Sequence, residues 1–136
     1  MSKKPTNSMR ATRREAREQA LEFAYEAHTR GLSVAEMVAT LAFPPEEFAI
    51  QLLTALEEVR TEVDEIITAT ATGWPLSRMP VIDLLVLRLG VAEMMQLNTP
   101  RGVILSEAVD LASRFSTDES GRFVNGVLAA IDRKLA

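Results

Sequence analysis

The sequence predicts an all-α protein of six to seven helices. Three observations lead there. Apolar residues recur at steps of three and four along most of the chain, and no useful stretch alternates as a half-buried strand does. Aromatic residues make up only 5%, which is low for a β-sandwich and ordinary for an Ala/Leu-rich bundle. At 136 residues, with 47% hydrophobic and 25% charged, the chain has the size of one ordinary domain and enough apolar surface to bury a core.

Each element follows from local signals. Residues 1–8, Met-Ser-Lys-Lys-Pro-Thr-Asn-Ser, are polar and lack periodicity, so they read as a flexible basic N-terminal arm before a single helical domain over 9–136. A helix is expected from about Met9 to Arg30, stopped by Gly31. Ser33 and Glu36 have the spacing of a capping box and open a short helix to about Ala42. Phe43-Pro44-Pro45 breaks it. A long helix then begins with Pro45, Glu46 and Glu47 in its first turn, where proline is tolerated and carboxylates oppose the dipole. Its seam is expected through Leu52, Leu56, Val59, Val63, Ile66 and Thr70, and Gly73 closes it.

Trp74 to Pro80 is a connector with room for one helical turn. Val81 to Leu97 is apolar nearly all round and is expected to be the central buried helix. Asn98-Thr99-Pro100 separates it from a helix over Arg101 to Phe115, with Ile104, Ala108, Leu111, Ala112 and Phe115 in one stripe. Ser116 and Glu119 suggest a second capping box. It would open a last helix from about Thr117 to Leu135, with Phe123, Val124, Val127, Leu128, Ile131 and Leu135 inward.

Composition narrows the chemistry. The chain has no cysteine and one histidine, His28, which removes disulfides, thiolate chemistry and Cys- or His-rich metal sites. No P-loop or glycine-rich phosphate cradle is present, so no enzyme activity, metal or nucleotide cofactor is expected. Val81 to Leu97 is too interrupted, by Asp83, Arg88, Glu93 and Gln96, to span a membrane. With no apolar segment behind the charged N-terminus, a cytoplasmic location is expected.

The net charge of −4 is unevenly spread. Residues 1–17 carry six basic side chains against one acidic, a net of +5, whereas residues 18–136 carry nine basic and eighteen acidic, a net of −9. A basic end on an acidic body points to a polyanionic partner for that end, or else to a solubilising tail. On a helical wheel Ala16, Ala20, Phe23 and Ala27 fall together and are expected to face the core. Glu15, Glu18, Glu22 and Glu26 form a second face. Arg10, Arg14 and Arg17 form a third, continued by Leu21, Tyr25 and His28. A row of guanidinium groups suits phosphate, because each offers paired donors and keeps its charge. Tyr25 on the same side can stack or hydrogen-bond; its other reading is boundary packing.

The C-terminal half holds three further details. Arg88 and Glu93 lie in the most apolar helix, where a buried charge needs a partner, and Glu93 or Glu107 is expected to pair with Arg88. Gly126 in mid-helix costs about 1 kcal/mol relative to alanine, which a close approach by another backbone or a ligand would justify. Asp118, Glu119 and Ser120 stand at a helix N-terminus, where backbone N–H groups are available.

Taken together, these motifs resemble the NusB family of bacterial transcription antitermination factors. The residues that carry the resemblance are Arg13-Arg14-Glu15-Ala16-Arg17-Glu18 with Ala20-Leu21 and Tyr25, then Leu87-Arg88-Leu89 with Glu93. They continue with Pro100, Ser106-Glu107-Ala108-Val109, Leu111-Ala112, Phe115, Glu119-Ser120 and Phe123-Val124-Asn125-Gly126-Val127-Leu128. The resemblance runs from about Arg10 to the end. It implies two small helical bundles packed together, no catalysis, and binding of boxA single-stranded RNA with ribosomal protein NusE in a transcription elongation complex acting on RNA polymerase. It implies RNA-binding roles for Arg10, Arg13, Arg14 and Arg17, and for Glu119, Ser120 and Phe123. It places Tyr25 and Asp83 on the partner-facing side. No membrane partner is expected, and monomer and homodimer both remain open. Two other readings stay open at this point: a NusB-like RNA-binding domain separated from an rRNA methyltransferase, and a helical adaptor that binds no RNA.

Overall fold

The structure is a computed structural model that describes the backbone of residues 6–136 and the side chains of residues 13–136. Six α-helices and one 3-10 turn make up the described residues, with no strand among them. The chain divides into two compact units, Met1–Thr54 and Ala55–Ala136.

The first unit holds α1 (Thr6–Arg30), α2 (Val34–Ala39) and the opening turns of α3 (Glu47–Thr70). α1 starts at Thr6, ahead of the expected Met9, and residues 1–5 of the expected arm lie outside the described residues. It ends at Gly31, whose φ of 68° is open to glycine at little cost. The Gly31 N–H donates to His28 O at 3.3 Å and the Leu32 N–H to Ala27 O at 2.9 Å, the pairing of a Schellman stop. The capping box of α2 is present. Ser33 Oγ accepts from the Glu36 N–H at 3.0 Å, and Glu36 Oε1 accepts from the Ser33 N–H at 2.8 Å. α2 stops at Ala39 rather than Ala42, where the Thr40 hydroxyl donates to Met37 O at 2.7 Å and competes with further helix. α1 packs on α2, with Met37 buried. The Gln19 side chain ties α1 to the start of α3 by accepting from the Glu46 N–H at 2.6 Å.

The second unit is built on α4 (Val81–Gln96), which is buried without interruption from Asp83 to Met94. A helix apolar on every side has no face to offer water, so it takes the centre. α5 (Arg101–Phe115) and α6 (Ser120–Leu135) pack against it and against each other. Gly90 is the point of close approach: a Cβ there would lie 3.2 Å from Leu128 Cδ1. α6 buries Val124, Val127, Leu128 and Ile131, and α5 buries Ile104, Ala108, Leu111 and Ala112. Each such Val, Leu or Ile contributes roughly 1.5–3 kcal/mol by leaving water. The 3-10 turn Leu76–Arg78 fills the connector as one helical turn.

Four expectations are corrected. The seam of α3 passes Leu52, Leu56 and Val63 as predicted, then Ile67 rather than Ile66 and Thr70. A 3.5-residue repeat drifts off a helix of 3.6 residues per turn, and a break at Val59 (φ −123°, ψ 21°) interrupts the register. Arg88 has a partner that the sequence did not single out, Asp64. Its Nε and Nη2 donate to the two carboxylate oxygens of Asp64 on α3, at 2.8 and 3.1 Å. This bidentate fit satisfies a guanidinium that is almost fully buried. Ser116 does not cap α6, whose N-cap residue is Glu119 with no side-chain cap bond. The Ser116 hydroxyl donates instead to buried Asp83 Oδ1 at 2.5 Å, because a buried carboxylate without a donor is costlier than an uncapped, water-facing helix end. Finally, a Cβ on Gly126 would meet nothing within 4 Å, so none of the described residues makes a close approach there.

Candidate nucleic-acid interface

The basic residues of α1 build the first surface. A helical stripe of small residues, Ala16, Ala20, Ala24 and Ala27, is buried together with Leu21 and Arg17. The buried face is therefore rotated toward Arg17 and Leu21 relative to the wheel expected from the sequence, and Phe23 is only half-buried. Arg13 and Arg14 are exposed, whereas Arg17 is 6% exposed. The Arg17 guanidinium lies 5.0 Å from the centroid of the Phe48 ring and that of Arg13 lies 4.5 Å from it. Phe48 comes from the first turn of α3. One aromatic ring thus holds two cations one turn apart, and it orders them without neutralising them. Arg14 and Arg17 each have a further partner within the chain. The Arg10 side chain lies outside the described residues. Tyr25 and His28 are exposed on α1. The expected row of Arg10, Arg14, Arg17, Leu21, Tyr25 and His28 is therefore not a single exposed face, because Arg17 and Leu21 turn inward.

The second surface is the corner between α5 and α6. Phe115 is exposed there, with the Arg114 guanidinium 4.8 Å from its ring centroid. Ser120 is buried, and its hydroxyl accepts from the Thr117 N–H at 3.1 Å and bonds the Thr117 hydroxyl at 2.8 Å. The Glu119 side chain is exposed, with Arg122 3.9 Å away. Phe123 is half-buried and meets the edge of Trp74 with centroids 5.7 Å apart and an interplanar angle of 61°. Asp83 is 3% exposed beneath this corner, where it holds Ser116. Its carboxylate accepts from the turn that carries Phe115 and Glu119.

Three residues were not assigned from the sequence: Phe48 and Trp74 on these surfaces, and Asp64 as the partner of Arg88. Phe48 carried no signal beyond its place among Glu46 and Glu47 at a helix start. Asp64 lay in an acidic stretch with several equivalent carboxylates. Trp74 had a usable signal, since the chain's one tryptophan stands in a Gly/Pro connector rather than on an apolar stripe. Among the described residues no group of three or more His, Cys, Asp and Glu is placed to hold a metal, and no helix is long and apolar enough to cross a membrane.

Chemically, the first surface offers fixed guanidinium groups to an anion and the second offers aromatic faces beside a carboxylate. The profile of the NusB family matches residues 14–133. The chain is 43% identical over 130 residues to the "Transcription antitermination protein NusB" of Thermobifida fusca, covering 92% of both chains. Its fold is similar to that of T. maritima NusB, with a TM-score of 0.81 at 26% identity, over 90% of this chain and 91% of that one. It is also similar to a chain in a structure titled as antitermination factors NusB and NusE in complex with dsRNA. There the TM-score is 0.78 at 28% identity, over 91% of this chain and 98% of that one. The names of these relatives describe an antitermination factor and not a catalyst. By profile, by sequence and by fold, the chain belongs to the NusB family of transcription antitermination proteins.

Proposed function

We propose that the chain binds boxA single-stranded RNA together with ribosomal protein NusE, and acts with the transcription elongation complex on RNA polymerase in the cytoplasm. The observation that carries this reading is the arginine cluster of α1, with Arg13 and Arg17 held on Phe48 and Arg14 exposed beside them. Ordered guanidinium groups bind phosphate with little entropy left to lose. The solved neighbour whose title pairs NusB and NusE with RNA supports the choice of partners.

In this reading Arg10, Arg13 and Arg14 take phosphates, and Arg17 supports them from beneath. Phe123 and Glu119 contact RNA at the α5–α6 corner, which Ser120 shapes through Thr117. Tyr25, exposed on α1, faces NusE. Asp83 acts on the same assembly only through the turn it holds.

The test is filter binding of a boxA single-stranded RNA and of a scrambled RNA of the same length, each with and without purified NusE. The boxA RNA is expected to bind more tightly than the scrambled one, and more tightly still with NusE. Equal, weak retention of both RNAs under both conditions would overturn the reading.

A further inference from the structure

Trp74 is 51% exposed, although a tryptophan gains more than most residues by leaving water. It is not loosely held. Gly73 before it sits at a φ of 83°, Pro75 follows it, and the Trp74 N–H donates to Ala71 O at 3.0 Å. The backbone that carries the indole is therefore held in place in the α3–α4 connector. Among the described residues its ring neighbour is Phe123 on α6, in a T-shaped pair with centroids 5.7 Å apart. The T-shaped geometry inclines the two ring planes by 61° and leaves Trp74 about half open to solvent, with Phe123 half-buried beside it. Around this pair the surface is wet and charged. The Arg122 side chain, next to Phe123 in sequence, is 90% exposed, and the exposed Glu119 lies one turn before Phe123 on the same flank of α6.

We propose that Trp74 is a base-stacking residue, and that Trp74 and Phe123 together form a platform for unpaired RNA bases. Aromatic faces that stay half-exposed on a rigid connector, beside a cation and a carboxylate, suit a flat, polar-edged ring better than an aliphatic side chain. Arg122 supplies a donor for the phosphate that follows, and Glu119 an acceptor for an exocyclic amino group at the base edge. The proposal rests on the RNA-binding reading and adds to it a residue from a different element.

The chain's one tryptophan makes the test direct, because its emission reports on this position alone. A boxA single-stranded RNA, a duplex of the same sequence and a single-stranded RNA with abasic sites are titrated into the protein. Binding is read by filter retention and stacking by Trp74 emission. The single strand is expected to quench the emission along the same curve as retention. The duplex and the abasic strand are expected to be retained without comparable quenching. Trp74→Leu should weaken single-strand binding about tenfold, and Trp74→Phe should recover most of it. Retention of the single strand without any change in emission, with Trp74→Leu binding like the parent, would overturn the proposal and leave the RNA-binding reading standing. Absence of retention for every RNA would overturn both.

Discussion

Arg88 shows what a single buried charge demands. Its side chain is 8% exposed and its partner Asp64 25% exposed, and both nitrogens of the fork are used. Removing Arg88 takes away both of these bonds but leaves Asp64 partly exposed and still accepting from Arg60 at 3.2 Å, so the cost lies below the about 3–5 kcal/mol of a fully buried pair. Arg88→Ala is therefore expected to lower the denaturant midpoint sharply in chemical unfolding, while the folded fraction keeps its RNA affinity. The need for a partner was legible from Arg88 in an apolar helix; its identity was not. Asp64 is 24 residues away in another helix, and Glu93 and Glu107 satisfied the same charge rule. The glycines teach a similar lesson. A mid-helix glycine costs about 1 kcal/mol against alanine, and Gly126 has nothing within 4 Å of the Cβ position. Gly126→Ala is expected to stabilise the protein by about 0.5–1 kcal/mol in the same measurement. Gly121→Ala should fall short of that gain, because its Cβ would meet Ser113 Oγ and force that hydroxyl to turn.

At the scale of elements, the ends of helices were legible because their signals are local. Ser33 with Glu36 caps α2, Gly31 stops α1, and Pro80 and Pro100 precede α4 and α5. Ser116 with Glu119 carried the same local signal and misled, since buried Asp83 competes for the hydroxyl from a different helix. The inward turn of Arg17 was hidden for a similar reason. Nothing near it in sequence announces Phe48, and the ring is one of the contacts that make burial of that guanidinium acceptable. Phe48 is thus a positioning residue for α1. Phe48→Leu keeps every charge but removes the ring, so boxA RNA affinity is expected to fall about two- to fivefold. The salt dependence should stay unchanged, since the number of phosphates neutralised is the same. A mutant with a shallower salt dependence would show that Phe48 does more than order the arginines.

At the scale of the molecule, a +5 end on a −9 body directs polyanions to one place and repels them elsewhere. The all-α class, the family and the basic end could be read from the sequence, because periodicity, motif order and charge are properties of the chain itself. Which arginines stay at the surface could not, because burial is decided by contacts between elements. That distinction sets the decisive measurement. Arg13 and Arg14 are exposed, so their replacement is expected to leave the fold intact, whereas Arg17 is buried and does not report cleanly. In the proposed mode Arg10, Arg13, Arg14 and Arg122 each neutralise one phosphate, so boxA RNA binding is expected to show a log–log salt slope of about −2.8, at about −0.7 for each phosphate on a single strand. The measurement is that slope for the parent and for the Arg13→Glu/Arg14→Glu double mutant, with helical content checked by circular dichroism. The account predicts a folded mutant with much weaker binding and a slope reduced to about −1.4, that of Arg10 and Arg122. A folded double mutant that kept both the affinity and the slope of the parent would contradict it.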